Sequence, residues 1–550
     1  MSGPIPARGR SGAGRRPTGP RAGGGPGGAR TAVPPADPAG DPAGDPARDI
    51  ALAALRATAD RDAYANLLLP GLLRTARVTG RDAAFATSLV YGTLRARGTL
   101  DAVLGACVDR PLDQLDAAAL DVLRLGAYQL LMLGTPPHAG VSATVDLARR
   151  AVGPGVARLV NAVLRRVSAH SLDDWVVRVA PDRATDPVGY LAIAGWHPAW
   201  VVGAFRDALG GSLEQTAAAL AADNVAPEVT LAARPGRIER ADLLAEAAAA
   251  QPQSAQLPSA QARLARPRAG RPPGPAGPQG PDVDPDENVV PEADPGGSGA
   301  PRPGRWSRLA VVLPSGDPGR LAAVRSRRAG VQDEGSQLVA QALAAAPTDG
   351  ANTGWWLDAC AGPGGKAGLL AGLAAGVGAR LVAGELQPHR ARLVAGALRM
   401  TAGATALVAD ATAPPWAEDS FDRVLLDAPC SGLGSLRRRP EARWRRSPTD
   451  LPGLRALQRG LLGAALRAVR PGGVVAYATC SPHPAETSVV VADAVRDLAR
   501  ATPGVAVDRL HTPDFLPAGL DLPTGPDDAQ LWPHRHGTDA MYLALLRRAA

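Results

Sequence analysis

Residues 355–366 read WWLDACAGPGGK, an apolar run that ends in a glycine-rich turn. A short apolar run bounded by such a turn is typical of a buried strand. Small residues in the turn let backbone N–H groups approach a ligand closely, and a helix that begins directly after it favours a carboxylate. The stretch therefore predicts a strand, a ligand-binding turn and a helix. The phosphate-loop pattern GxxxxGK[ST] is absent because Ala367 follows Lys366, which disfavours ATP hydrolysis.

Short β-type runs alternate with helical segments throughout the region that surrounds this stretch. Predicted strands are WWLDA (355–359), RLVAG (380–384), ALVA (406–409), RVLLD (423–427), VVAYA (474–478) and MYLALL (541–546). Such alternation predicts an α/β domain, a mostly parallel sheet with helices on both faces. Ligands of such sheets bind at the carboxyl ends of the strands.

Three acidic residues each follow a strand of their own. Glu385 follows the second predicted strand, Asp410 the third and Asp427 the fourth. Together they predict one wall of a cofactor pocket, with Glu385 suited to ribose hydroxyls and Asp410 to an adenine amine. This set fits S-adenosylmethionine better than a dinucleotide, because no phosphate needs to be neutralised.

The chain has four cysteines, and two of them lie at the ends of neighbouring strands. Cys430 follows the fourth predicted strand and Cys480 the fifth, so both thiols are expected to border one cleft. No CxxC pair occurs, so we expect no metal site. Lys366, in the glycine-rich turn, is the only lysine among 60 Lys and Arg residues. This indicates that arginine cannot replace lysine at this position.

A thiol beside a methyl sulfonium suits methylation at a carbon that is a poor nucleophile. Carbon 5 of cytosine is such an atom. A thiolate that adds to carbon 6 makes carbon 5 enamine-like, so that it can take up the methyl group. Asp427 could hydrogen-bond N3 or the exocyclic amine, and a base must then remove the carbon 5 proton.

The rest of the chain predicts several further segments. Residues 1–47 and 251–305 are rich in Gly and Pro, which predicts a disordered tail and a disordered insertion. Residues 48–170 predict an all-helical bundle, in which GVARLVNAVLRRV has its apolar residues on one helix face. A connecting subdomain with more helix is expected over 171–250, and the α/β domain over 306–550.

Composition favours a polyanionic partner. The formal net charge is +8 and the isoelectric point is near 9.9. No run of 18 apolar residues occurs, and the first residues lack a continuous apolar segment. We therefore expect a cytoplasmic protein that binds nucleic acid, has no membrane partner and is a monomer.

Several strings resemble known families. DACAGPGGK, DAPCSGLG, RRRPEARW and YATCSPHPAE resemble the Nol1/Nop2/Sun family of RNA 5-methylcytosine methyltransferases, in particular its ribosomal RsmB/Fmu/Sun type. RDAAFATSLVYGTLRARGTLDAVL and LVNAVLRRV resemble the NusB-type helical RNA-binding domain at the front of bacterial ribosomal RNA methyltransferases. The resemblance implies a class I methyltransferase domain of Rossmann-like fold, S-adenosylmethionine as cofactor and small-subunit (16S) ribosomal RNA as substrate.

The resemblance also implies roles for individual residues. Cys480 would attack the base and Cys430 would assist product release. The cofactor contacts would be Cys360, Ala361, Gly362, Pro363, Gly364, Gly365, Lys366, Glu385, Arg390, Asp410 and Asp427. The chain departs from the family pattern at Gly362, where Ala is usual, and at Ala367, where Thr is usual. Residues 226–237 also lack the RVN tripeptide that the resemblance leads us to expect.

A dense basic run predicts how RNA is delivered. LRRRPEARWRR places several arginines around one tryptophan, a pattern suited to a phosphate backbone beside a stacked base. The predicted RNA contacts are Arg437, Arg438, Arg439, Arg443 and Trp444. The resemblance of the helical bundle to the NusB-type domain implies further candidate phosphate contacts, which are Arg81, Arg95, Arg149, Arg165 and Arg166.

Two other functions remain open from the sequence. A DNA cytosine-C5 methyltransferase would use Cys430 as nucleophile, but the position of Cys480 and the RNA-type helical domain argue against it. A non-catalytic RNA-binding ribosome assembly factor would keep the fold, yet it would need neither thiol nor Lys366.

Overall fold

The computed structural model describes residues 44–60, 64–250, 299–314, 316–523 and 526–549. All but the last four residues of the predicted tail, and the predicted insertion up to residue 298, lie outside these ranges. Within them no single helix has the length and apolarity of a membrane span, although a bent pair, Pro187–Ala194 with Ala199–Ala208, passes that test when taken together.

The first part of the described chain is an all-helical bundle. Its helices are α1 (Pro46–Asp60), α2 (Ala65–Thr75), α3 (Gly80–Cys107), α4 (Ala117–Leu131), α5 (Pro137–Ala151) and α6 (Pro154–Val167). In α6 the buried residues Val160, Val163, Leu164 and Val167 lie on the predicted apolar face and join the core of the bundle. The bundle predicted over 48–170 is thus present.

Four short helices lead from the bundle into a small sheet. They are α7 (Leu172–Val179), α8 (Pro187–Ala194), α9 (Ala199–Ala208) and α10 (Leu213–Asn224). The sheet contains β1 (Val229–Ala233), β2 (Arg302–Pro303), β3 (Ala310–Leu313) and β4 (Ala329–Val331), in the antiparallel order β2-β3-β1-β4. Helices α11 (Arg240–Ala249) and α12 (Ala322–Arg325) accompany it.

This sheet corrects two expectations. The predicted helix over 171–250 is present, but the connecting subdomain does not end at residue 250, because the strands of its sheet come from both sides of the segment 251–298. Residues 302–303, expected to be disordered, pair with β3. The segment 226–237, which lacks the RVN tripeptide, supplies β1 at the centre of this sheet.

The C-terminal part is a sheet with helices on both faces. Its strands are β5 (Trp355–Asp358), β6 (Arg380–Glu385), β7 (Ala404–Val408), β8 (Phe421–Asp427), β9 (Val469–Thr479), β10 (Val507–Leu510), β11 (Ala529–Gln530) and β12 (Tyr542–Arg548). The order is β10-β12-β9-β8-β5-β6-β7, with β11 paired to β12. Strands β5 to β9 are parallel, and β12 runs antiparallel to β9.

The helices of this domain cover both faces of the sheet. They are α13 (Glu334–Ala345), α14 (Gly365–Gly376), α15 (Pro388–Leu398), α16 (Ala442–Arg445), α17 (Leu451–Ala468), α18 (Ser488–Ala501) and α19 (Pro533–His536). Helices α13, α14 and α15 contribute to one apolar core, and α17 and α18 to another. All six predicted strands are present, and the domain has the Rossmann-like fold expected.

The strand order reverses between β5 and β8. From β5 the chain moves outward through β6 to β7, and then returns to β8 on the other side of β5. In open α/β sheets such a switch point opens a crevice at the carboxyl ends of the strands. The turn after β5 and the thiol-bearing turns after β8 and β9 therefore meet at this edge.

Candidate active site

The glycine-rich turn packs closely against the end of β6. Gly364 has a φ of +108°, a backbone conformation that favours glycine, and α14 begins at the next residue. A Cβ on Gly362 would lie 2.0 Å from Glu385 Oε2, so the carboxylate fills the space that a side chain at this position would need. Arg390 Nη2 donates to the Gly362 carbonyl at 2.7 Å and lies 3.6 Å from Glu385 Oε2. Arg390 thus joins the turn to β6.

The predicted acidic residues differ in exposure. Glu385 is buried and its Oε1 accepts from the backbone N–H of Gln387 at 2.9 Å. Asp410 is exposed, and its Oδ1 accepts from the hydroxyl and the backbone N–H of Thr412, which lowers the pKa of this carboxyl. Asp410 thus lies at the open rim of the crevice, whereas Glu385 lies inside it.

Asp358 is a site residue that the sequence reasoning missed. It is the last residue of β5 and is 1% exposed, and neither carboxylate oxygen makes a hydrogen bond of ordinary geometry within the described part of the chain. Burial, followed by the charge of Asp427, raises the pKa of this carboxyl to about 8. Its position in the sequence could have revealed Asp358, because it ends a strand just as Glu385 and Asp427 do.

Lys366 lies between the turn and the thiols. Its Nζ donates to Asp427 Oδ2 at 2.9 Å and to Ser336 Oγ at 3.3 Å. Burial lowers the pKa of Lys366, but the charges of Asp427 and Cys480 more than offset this and raise it overall. An arginine would carry its charge on a larger planar group, so the site favours the compact ammonium.

The two thiols are in contact. Cys430 Sγ lies 3.3 Å from Cys480 Sγ. The hydrogen bond from Cys430, helped by Lys366 and Arg439, lowers the pKa of Cys480 against the effects of burial and of Asp427. The same hydrogen bond, together with burial, raises the pKa of Cys430 well above its usual value. Of the two thiols, Cys480 is therefore the one that loses its proton more readily.

The structure contradicts most of the predicted RNA contacts in the basic run. Arg437 is buried, donating to Asp539 Oδ1 at 2.8 Å and Asp333 Oδ2 at 3.0 Å, and Arg438 pairs with the same two carboxylates. Arg443 is 0% exposed. These guanidinium groups are bound to protein acceptors that are distant in sequence and are not free for phosphates.

The tryptophan of this run also contacts protein. Trp444 Nε1 donates to the Leu94 carbonyl at 2.6 Å, and its ring lies against Gly98 of α3, where an added Cβ would be 2.4 Å from the ring. Arg95, a candidate phosphate contact, is buried at the same place. Only Arg439 among the five predicted contacts is exposed, with its guanidinium 5.4 Å from the ring centroid of Tyr64.

Two family models match the chain. Residues 342–547 match the model of the 16S rRNA methyltransferase RsmB/F, and residues 45–169 match the NusB family. A Mycobacterium tuberculosis protein named as a methyltransferase, MT1451, is 48% identical over 506 residues, covering 90% of this chain and 95% of its own length.

Two further likenesses extend over most of the chain. The ribosomal RNA small subunit methyltransferase B of Pseudomonas putida is 31% identical, covering 91% of this chain and 98% of its own length. The crystal structure of the protein PH0851 superposes with a TM-score of 0.67 at 19% identity, covering 92% of this chain and 98% of that one, which supports the fold. From the matches to the methyltransferase and its front domain, the chain belongs to the RsmB/F family of 16S rRNA methyltransferases.

Proposed function

We propose that this protein methylates carbon 5 of a cytosine in small-subunit ribosomal RNA, with S-adenosylmethionine as methyl donor and Cys480 as nucleophile. The observation that carries the proposal is the 3.3 Å contact between Cys480, whose pKa is lowered, and Cys430, whose pKa is raised. Neither ATP hydrolysis nor a non-catalytic RNA-binding role requires a thiol pair of this kind at the switch point of the sheet.

The residues at the crevice fit the cofactor. Asp358 offers a buried carboxyl without a hydrogen-bond partner of ordinary geometry in the described chain, and the turn 360–366 approaches Glu385 so closely that a Cβ at Gly362 would clash. The turn would hold the methionine carboxylate, Glu385 the ribose and Asp410 the adenine amine. When bound there, S-adenosylmethionine supplies a methyl group activated by a sulfonium.

Cys480 performs the covalent step on the base. Its thiolate adds to carbon 6 and forms an Sγ–C6 bond, which makes carbon 5 nucleophilic towards the methyl group. Asp427 can accept a hydrogen bond from the exocyclic amine, and Lys366 can donate one to the ring as negative charge develops. Loss of the carbon 5 proton to a base then breaks the Sγ–C6 bond and restores the thiolate, to which Cys430 again donates.

Two serine variants test this assignment. Cys480→Ser should abolish both methyl transfer and any protein–RNA adduct, because a serine hydroxyl is scarcely ionised at neutral pH. Cys430→Ser should still attack and should accumulate an adduct that survives a denaturing gel. The assay uses the full chain, ribosomal RNA and cofactor labelled in the methyl group, and Cys107→Ser, a buried cysteine of α3, serves as control.

The outcomes separate the alternatives. An adduct in Cys480→Ser alone would support the DNA-type assignment, in which Cys430 attacks. Wild-type turnover in both variants without any adduct would refute covalent catalysis, and absence of methyl transfer by the unaltered chain would favour an assembly factor. A protein that acts on ribosomal RNA in this way is expected to work in the cytoplasm as a monomer, without a metal or a membrane.

A further inference from the structure

One buried carboxylate connects the two turns that carry the thiols. Each cysteine is followed directly by a serine, Ser431 after Cys430 and Ser481 after Cys480. Both serine hydroxyls donate to Glu486 Oε2, at 2.5 Å and 2.7 Å, and the two hydroxyl oxygens lie 3.1 Å apart. Ser431 also donates its backbone N–H to Glu486 Oε1 at 2.8 Å. One side chain thus holds both turns.

Glu486 is itself held in place. It is 0% exposed, and its backbone carbonyl accepts from the hydroxyl of Tyr477, on β9, at 2.8 Å. Gln458, a buried residue of α17, donates through Nε2 to Glu486 Oε1 at 3.1 Å and to the Pro429 carbonyl at 2.8 Å. Glu486 is therefore bound to a strand and to a helix of the core as well as to the two turns.

The thiol contact depends on both turns keeping their places. The turns come from separate strands, β8 and β9, and sulfur atoms 3.3 Å apart leave little room for displacement of either. A shift of about 1 Å would break the hydrogen bond that Cys430 gives to Cys480. The backbone N–H of Gly434 joins the turns by donating to the Cys480 carbonyl at 2.8 Å, and the serines beside the cysteines supply the side-chain contacts that resist such a shift.

We infer that Glu486 is a positioning residue for the proposed reaction: by binding Ser431 and Ser481 together it holds the Cys430 thiol against the Cys480 thiolate. The inference rests on the proposed function. Glu486 makes no hydrogen bond to either sulfur, and it holds the two turns through the serines.

The double variant Ser431→Ala/Ser481→Ala tests the inference without removing the buried carboxylate. Diamide takes up two electrons and both thiol protons and leaves a Cys430–Cys480 disulfide, so the rate of this reaction reports how often the sulfurs meet. We expect the rate to fall about tenfold or more, because proximity of the two groups governs such a step. The pH profile of iodoacetamide alkylation of Cys480, followed by peptide mass spectrometry, should move to higher pH.

A second pair of variants covers the case in which the double variant does not fold. Glu486→Ala should lose the rapid disulfide, whereas Glu486→Gln should retain most of it, since its amide can donate to both hydroxyls and its oxygen can accept from the backbone of Ser431. Ser488→Ala, at an exposed serine on the first turn of α18, is the matched control and should behave as wild type.

An unchanged disulfide rate and alkylation profile in the folded double variant would overturn the inference, as would equal loss in Glu486→Gln and Glu486→Ala. Failure of the proposed function has a different signature. In that case Cys480→Ser would still methylate RNA, while the disulfide rate of the chain would still depend on Glu486.

Discussion

Replacing Arg443 by alanine should destabilise the whole protein rather than weaken its hold on RNA. The guanidinium donates to the Trp196 carbonyl at 3.0 Å, the Asp223 carbonyl at 2.9 Å and Asn224 Oδ1 at 2.7 Å, and it approaches the Arg95 carbonyl at 3.5 Å. Three hydrogen bonds from a charged donor, at roughly 1.5 kcal/mol each, contribute about 4–5 kcal/mol.

The free energy of unfolding can be followed by urea denaturation with tryptophan fluorescence, and RNA affinity by filter binding under native conditions. Arg446→Ala, at an exposed arginine in the same run, is the control and should change stability by less than about 0.5 kcal/mol. A loss of under about 1 kcal/mol in Arg443→Ala, combined with a clear loss of RNA affinity, would refute the reasoning and restore this arginine as an RNA contact.

Three further substitutions give separate checks. Lys366→Met removes an ammonium that lowers the pKa of Cys480, so the alkylation of that thiol should require higher pH and methyl transfer at neutral pH should fall; an unchanged profile would contradict this. Gly434→Ala places a Cβ 2.0 Å from the Ala540 carbonyl oxygen, so activity should be lost and the melting temperature, measured by calorimetry, should drop. Arg439→Gln removes an exposed charge beside the thiols and should lower the salt dependence of RNA binding by about one unit of slope while leaving stability unchanged.

The strands and the turn chemistry of the α/β domain could be predicted because their signals are local. Three apolar runs are each followed closely by a functional feature. A glycine-rich turn follows 355–358, and a cysteine follows each of 421–427 and 469–479. The small sheet could not be predicted in the same way. Its strands are two to five residues long, and β1 and β3 are separated by a long stretch rich in Gly and Pro. Their pairing is a tertiary contact that no local pattern records.

The burial of the arginines could not be predicted from the sequence for the same reason. Sequence composition places Arg437 and Arg443 in one basic run, but whether a guanidinium meets solvent or a carboxylate depends on partners such as Asp333, about a hundred residues away. The burial of Glu486 could not be predicted either, because a glutamate after a Pro-rich turn is usually exposed. The role of Glu486 depends on a tertiary contact, in which both serine hydroxyls donate to the same carboxylate oxygen.

The position of β12 has a consequence for when the site can form during synthesis. This strand lies between β9 and β10, pairs with β9 from Tyr542↔Thr479 to Arg547↔Val474, and is preceded by Ala540, whose N–H donates to the Gly434 carbonyl at 2.8 Å. While residues 540–548 are still inside the ribosomal exit tunnel, β9 has an open apolar edge and the turn after Cys430 lacks one of its supports. The crevice therefore cannot be completed before residues 540–548 have been synthesised and are free to pair with β9.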